Sequence, residues 1–408
     1  MKAVAATAVL LVLAPSAARE EHTLVTWKKI VLSETFTSEG ANVGDFNKDG
    51  KLDVVSGPFW YEGPEFKKAH EFMPVKVFKK DNEYSNAFFA FTYDFNKDGW
   101  TDILIYGFPG KDASWFENPQ GKAGHWKKTE IFPVVDNESP QFEDVNGDKV
   151  PDILCSTGGE LGYVTIADGK FHRIGEKDPK KYHKYTHGLG VGDINGDGRK
   201  DFIDVWGWWE QPASLEGDPV WKRHPAKFGT AGAQIYATDV DGDGDSDVIG
   251  CLHAHGYGLA WWEQVKADGA IEWKQHTLMN EKPEDSRYGV KFSQPHAIDL
   301  VDIDGDGLKD IVTGKRHFAH GSKGDKDPLA EPVLYWWRLV RGKDGVDFVP
   351  HLIDNDSGIG TQVLATDVNG DGFPDTVVGS KRGTFVCLQE RRKVSREEWE
   401  KAQPKPLK

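Results

Sequence analysis

The chain is poor in cysteine, with three among 408 residues: Cys155, Cys251 and Cys387. An odd count at scattered positions excludes a disulfide framework. Cys155 and Cys251 follow acidic loops inside apolar runs, where a thiol ordinarily serves as a small buried hydrophobe. Nothing near them would lower a thiol pKa, so a nucleophilic cysteine is not expected. No serine motif offers a nucleophile instead. Beyond the N-terminus, no apolar run is long enough to cross a membrane. A positive surplus is also missing. Lys and Arg total 50 against 65 Asp and Glu, a formal charge of -15. Phosphate backbones require the opposite sign, so nucleic acid is not an expected partner.

The N-terminus holds the one long apolar run. Lys2 precedes Ala3 to Ala14, broken only by Thr7, and Ser16-Ala17-Ala18 supplies small residues for cleavage. Residues 1–18 read as a signal peptide, too short for a membrane span, and predict a secreted or periplasmic protein.

Aspartate is abundant, and it recurs in one nine-residue loop. The copies are DFNKDGKLD from Asp45, DFNKDGWTD from Asp94, DVNGDKVPD from Asp144, DINGDGRKD from Asp193, DVDGDGDSD from Asp239, DIDGDGLKD from Asp302 and DVNGDGFPD from Asp367. Their starts lie 49, 50, 49, 46, 63 and 65 residues apart, and such a period signals a repeat architecture. Position 1 is Asp45, Asp94, Asp144, Asp193, Asp239, Asp302 and Asp367. Position 3 is Asn47, Asn96, Asn146, Asn195, Asp241, Asp304 and Asn369. Position 5 is Asp49, Asp98, Asp148, Asp197, Asp243, Asp306 and Asp371, and position 9 is Asp53, Asp102, Asp152, Asp201, Asp247, Asp310 and Asp375. Oxygen ligands so spaced suit calcium, and seven such ions would bring the net charge to about -1. Position 6 is glycine in six copies and Lys149 in the third. If that turn needs positive φ, a side chain there costs about 1–2 kcal/mol, so the third site is expected to be the weakest.

Each loop is followed by a short β-branched run, such as Asp53-Val54-Val55 or Asp310-Ile311-Val312. Then comes an aromatic strand (Trp60-Tyr61-Glu62, Trp208-Trp209-Glu210, Trp261-Trp262-Glu263, Trp336-Trp337-Arg338) and a fourth strand with basic residues, as in Trp221-Lys222-Arg223-His224. Four strands per repeat of about 50 residues predict propeller blades. Trp27 to Leu32 copies the fourth-strand pattern ahead of the first loop, and so would complete the last blade and close the ring. The expected fold is an all-β, seven-bladed β-propeller over residues 26–390. A charged tail, 391–408, follows, with Ser395 and Glu398 spaced as a capping box. Paired tryptophans at middle-strand positions read as packing between blades.

These loops closely resemble those of the secreted FG-GAP/VCBS repeat proteins, a group of calcium-containing β-propellers, over roughly residues 26–390. The group includes integrin-type adhesion propellers, lectin-like modules, polysaccharide lyases and sugar dehydratases, and fold does not choose among them. Ser293-Gln294-Pro295-His296 and Thr313 to Phe318 are similar to segments in the propeller of aldos-2-ulose dehydratase. That resemblance implies a keto-sugar substrate, while the lyase relatives imply a uronate-containing polysaccharide.

Hairpin geometry places the histidines. A residue six before a loop lies about 20 Å from it along the first strand, and one about 14 past the loop start has returned to that same end. His187 and His296 are six before their loops; His253, His255, His317 and His320 lie 14 to 18 past theirs. With His183, Lys315, Arg316, Tyr185 and Trp206 they gather on the face opposite the acidic loops. The added length near Asn280–Gln294 and Phe318–Pro332 falls on the same face, as walls of a site. His125, His172, His224, His276 and His351 recur near fourth strands and read as structural. The far-face residues His187, His253, His255, His296, Lys315, Arg316 and His317 are the catalytic candidates. Imidazoles so spaced could ligate a transition metal such as zinc, or act as general base while Lys315 or Arg316 steadies an enolate. The expected function is an exported carbohydrate-active lyase or dehydratase acting by β-elimination. The alternative is a non-catalytic propeller that binds glycans or a protein in adhesion.

Overall fold

The computed structural model describes residues 22–407 apart from Asp268 and Asp344. The signal-like segment 1–18 lies outside them. Among the described residues the chain is all-β, with 27 strands, one 3-10 turn and one short helix. No helix among these residues is long and apolar enough to cross a membrane.

Every acidic loop joins the first strand of a four-stranded antiparallel meander to its second. The meanders span residues 42–71, 89–135, 136–173, 189–225, 234–279, 298–354 and 364–394. The second and third share the long strand Lys127–Glu143, whose halves pair with Lys111–Glu117 and Asp152–Thr157. The fourth and fifth merge through parallel pairing of Leu189–Val191 with Gln234–Tyr236. The seventh takes its fourth strand from the other end of the chain: His22–Ser33 pairs antiparallel with Gly383–Val394, from His22 opposite Val394 to Ser33 opposite Thr384. Both strands reach four residues beyond the limits read from sequence. The tail then forms the helix Arg396–Ala402, capped by Ser395, which accepts the Glu398 N–H.

The second strands, including Asp102–Tyr106, Asp247–Cys251 and Asp310–Gly314, are buried along their whole length. A strand covered on both faces has no solvent side, so its residues run apolar without alternation. Seven hydrophobic clusters do the covering. One lies between each successive pair of meanders, and the last joins Val54 and Tyr61 of the first meander to Val377 and Val386 of the seventh. Paired tryptophans serve both sides: Trp261 packs toward the sixth meander and Trp262 toward the fourth. All three thiols are free and buried among these layers. First strands from six of the meanders line a cavity of about 210 Å3, with Asn42, Phe91, Gln141, Gln234, Ile298 and Gln362 among its walls.

The acidic loops share one hydrogen-bond scheme. In the first, Asp45 accepts the Asp49 and Gly50 N–H groups, Asn47 accepts Asp49 N–H, and Asp49 accepts Lys51 N–H. Position 6 is left-handed in all seven, φ 82° at Gly50 and 71° at Lys149. A Cβ added at Gly50, Gly198 or Gly372 would meet nothing within 4 Å, so Lys149 carries only the backbone penalty.

Candidate functional site

The residues six before the loops come together at the far ends of the first strands. In the third meander that residue is Glu138, in the fourth His187, in the sixth His296 and in the first Glu39. Local turns aim them. Asn137 is left-handed, φ 86°, and its side chain accepts the Ser139 N–H at 2.6 Å. Glu138 N–H donates to Thr186 O at 2.7 Å, tying third to fourth meander. Gln294, φ 62°, turns the chain so that His296 N–H reaches its carbonyl at 2.8 Å.

His187 Nε2 lies 2.9 Å from His255 Nε2 and 3.2 Å from His296 Nε2. Glu138 Oε2 is 3.5 Å from His187 Nε2 and 3.3 Å from His296 Nε2. One donor atom from each of these four residues falls within 4.8 Å of all the others. Each comes from a different one of four successive meanders. Nδ1 of His187 bonds the Tyr185 carbonyl at 2.9 Å, which leaves Nε2 with its lone pair toward the cluster. His255 Nδ1 faces Asp325 Oδ2 at 3.5 Å. Asp325 also accepts from His320 Nδ1 at 2.8 Å, and the His320 ring stacks on His255 at 4.4 Å.

Arg316 lies against this cluster, 2 % exposed. Its guanidinium donates to Glu39 at 2.6 Å and to His296 Nε2 at 2.9 Å, and reaches Glu138 at 3.5 Å. Burial would raise the Glu138 carboxyl, but His187 and His296 beside it hold it well below the usual range. Burial, then the charge of Arg316, keeps His296 well below an ordinary imidazole. Burial brings His255 down to about 4 against the pull of Asp325. Neutral His255 and His296 beside an ionised Glu138 are in the protonation states that metal ligation requires.

Of the histidines and cations placed here by sequence, the structure brings together His187, His255, His296 and Arg316, with His320 stacked on His255. His253 is exposed and accepts the His255 N–H at 3.2 Å through Nδ1. Lys315 is buried on Ser293 Oγ at 2.7 Å, where burial lowers it to about 8. His317 stacks on Phe318 with Nδ1 unpartnered. Adjacent residues on one hairpin turn point different ways, so Lys315 and His317 leave the axis that Arg316 enters. His183 accepts the Tyr185 N–H, and Tyr185 forms part of an aromatic rim with Phe108 and Tyr84. Sequence reasoning passed over Glu39, Glu138 and Asp325. The six-before rule applied to carboxylates would have found the first two. Asp325 lies in the Phe318–Pro332 insertion, where spacing carries no such rule. That insertion is held down by Ser293 and Gln294, which donate to the Lys326 carbonyl.

On the acidic loops, Asp239, Asp241 and Asp247, and likewise Asp302, Asp304 and Asp306, offer oxygens within 4.8 Å of one another. The position-9 aspartates are buried and accept backbone N–H groups. Asp53 takes those of Phe46 and Gly63, and Asp310 those of Ile303 and Leu339, at 2.8–2.9 Å. Burial pushes Asp310 up to about 8, and Asp152 and Asp201 to about 7.

The fold and its loops define a repeat protein, and the FG-GAP-like repeat family matches residues 94–155 and 144–203. Residues 94–203 therefore carry FG-GAP-like repeats. Among solved structures it is similar to the rhamnogalacturonan lyase YesW (14% identity, 89% of this chain and 72% of that one, TM-score 0.41). It is also similar to an auxiliary nutrient binding protein from Bacteroides ovatus (11%, 91% and 78%, TM-score 0.44) and to the V. cholerae biofilm matrix protein Bap1 (14%, 92% and 84%, TM-score 0.37). At these TM-scores the likenesses assign no substrate or activity to this chain. No curated protein matches it.

Proposed function

We propose that the seven meanders are the blades of a seven-bladed β-propeller that holds calcium in its acidic loops and a transition metal, zinc by preference, between Glu138, His187, His255 and His296. On this reading the protein is an exported carbohydrate-active lyase or dehydratase that performs β-elimination on a keto-sugar or a uronate. The observation that carries it is the convergence of three Nε2 atoms and one carboxylate oxygen beside a buried arginine. Zinc bonds of about 2.0–2.1 Å in tetrahedral geometry place donors roughly 3.3–3.4 Å apart. Four of the six donor separations, 2.9 to 3.5 Å, bracket that value, so the residues fit the ion once Arg316 releases His296 Nε2. When bound, it supplies Lewis-acid polarisation of a substrate carbonyl or carboxylate. The chain supplies the rest. Arg316 places a fixed positive charge where an enolate oxygen gains negative charge. His320, 48 % exposed at its side chain with Nδ1 held by Asp325, presents Nε2 to take the proton next to the carbonyl.

One observation favours a second reading. The four residues are largely buried and offer four protein donors, the number that closed structural zinc sites use. The ion would then staple four blades of a glycan- or protein-binding propeller. A panel of keto-sugars and uronate polysaccharides, screened for new ultraviolet absorbance with and without chelator, separates the two. The catalytic reading expects an unsaturated product that needs the metal. Binding of a glycan without turnover, together with loss of melting temperature on zinc removal, would establish the staple instead.

A further inference from the structure

Five meanders stack an aromatic ring of the third strand on a histidine of the fourth. The pairs are Trp60 with His70, Tyr163 with His172, Trp208 with His224, Trp261 with His276 and Trp336 with His351, at centroid distances of 3.8 to 4.8 Å. In four of them a carboxylate closes a ring nitrogen: Glu62 at 3.0 Å, Asp218 at 2.5 Å, Glu210 at 2.7 Å and Glu263 at 2.6 Å. The sixth meander breaks the pattern. Where its neighbours have glutamate it has Arg338, which turns to Asp304 and Asp306 of the adjacent loop at 2.5 and 3.5 Å. His351 Nε2 is thereby left buried without a partner, as is His22 Nε2, while Arg338 keeps its ion pairs. All three residues line one cavity of about 310 Å3, with Trp336, Trp399 and Asp304 in its walls.

A buried polar atom without a partner is costly, and a pair of them in one cavity points to a ligand that supplies the missing bonds. We propose that this cavity is a second carbohydrate site, at the acidic-loop end of the sixth meander, and that it takes a neutral pyranose ring. Hydroxyl groups both donate and accept, so they satisfy the imidazole nitrogens in either tautomer. Trp399, on the short C-terminal helix and stacked on His22 at 5.2 Å, presents an indole to the C–H face of the ring. Asp304 and Asp306 already balance Arg338, so a charged ligand finds no unpaired counter-ion here. The volume is at the small end of small-molecule sites, roughly 300–1,000 Å3, which suits one ring or two. The site shares no residue with the histidine cluster and does not rest on its catalytic reading.

The test is saturation-transfer NMR on the calcium-loaded full chain. The probes are the methyl glycosides of glucose, galactose, mannose, xylose, fucose and rhamnose, with methyl glucuronoside as the charged comparison. At least one neutral glycoside is expected to bind with a Kd of about 1 mM or tighter. Trp399→Ala should weaken it at least tenfold. So should Arg338→Glu, which restores the carboxylate that closes the histidine in the neighbouring meanders, and an unchanged or higher melting temperature would show that this variant folds. His224→Leu, at a histidine already paired, should leave binding intact. The proposal is overturned if no neutral glycoside binds, if only the glucuronoside does, or if binding survives both Trp399→Ala and Arg338→Glu.

Discussion

Asp325→Ala tests the histidine cluster without touching a ligand. The Asp325 carboxylate lies 3.5 Å from His255 Nδ1 and 2.8 Å from His320 Nδ1. Losing an outer partner of a ligating histidine typically costs 10- to 100-fold in metal affinity. The 3.5 Å separation is long for a hydrogen bond, so the low end, about tenfold or 1.4 kcal/mol, is expected. Asp325→Asn keeps an acceptor and should recover part of the loss. Glu138→Gln removes the only anionic donor and should cost more than Asp325→Ala. The assay strips the protein with chelator, reloads it with zinc, and titrates it against a chromophoric competitor. Cobalt in place of zinc reports tetrahedral ligation by its visible absorption. If the reloaded wild type keeps no stoichiometric metal apart from calcium, or if Glu138→Gln binds zinc as tightly as wild type, the four residues are not a metal site.

Other outcomes follow from the same geometry. Lys149→Gly should stabilise the protein by about 1 kcal/mol, because it relieves a left-handed side chain in open space; a lower melting temperature would contradict this. Arg316→Ala leaves Glu39 and Glu138 buried without their counter-charge and should cost about 3–5 kcal/mol in denaturant unfolding. Calcium-free protein should lose stability progressively as pH rises from about 4 to 8. Asp152, Asp201 and Asp310 have folded values raised to about 7 or 8, so the stability they contribute is full below the unfolded value near 3.9 and is lost as pH rises through that window. Bound calcium favours the ionised form and should flatten the slope, which melting curves with EDTA and with calcium would compare. His255→Ala should cut turnover of a true substrate about 10²-fold, while His224→Ala, a member of the paired fourth-strand group, should leave it nearly unchanged.

Much of this protein is written in local pattern. Seven acidic loops mark seven strand turns, and β-branched runs and paired tryptophans mark strands buried on both faces. Trp27 to Leu32 matched a fourth strand, and its partner Gly383–Val394 stands at the opposite end of the chain. A fixed step from each loop placed His187, His255, His296 and Arg316 at one end of the meanders, because strands advance by a constant rise per residue. Which of those residues meet is a different matter. His253 and His255 are two apart, as are Lys315 and His317, yet only His255 joins the cluster, since side-chain direction at a hairpin turn depends on backbone angles that spacing does not encode. Glu138 reaches the histidines through a left-handed turn at Asn137, and Asp325 through an insertion that packs back over His255. The orphaned His351 arises from the turn of Arg338 toward the adjacent loop. Strand period and loop chemistry are properties of neighbours in the chain, so they are legible in the order of residues alone. The histidine cluster and the cavity beside Trp399 depend on how separate meanders pack, and contacts between distant segments are set by the folded chain rather than by local spacing.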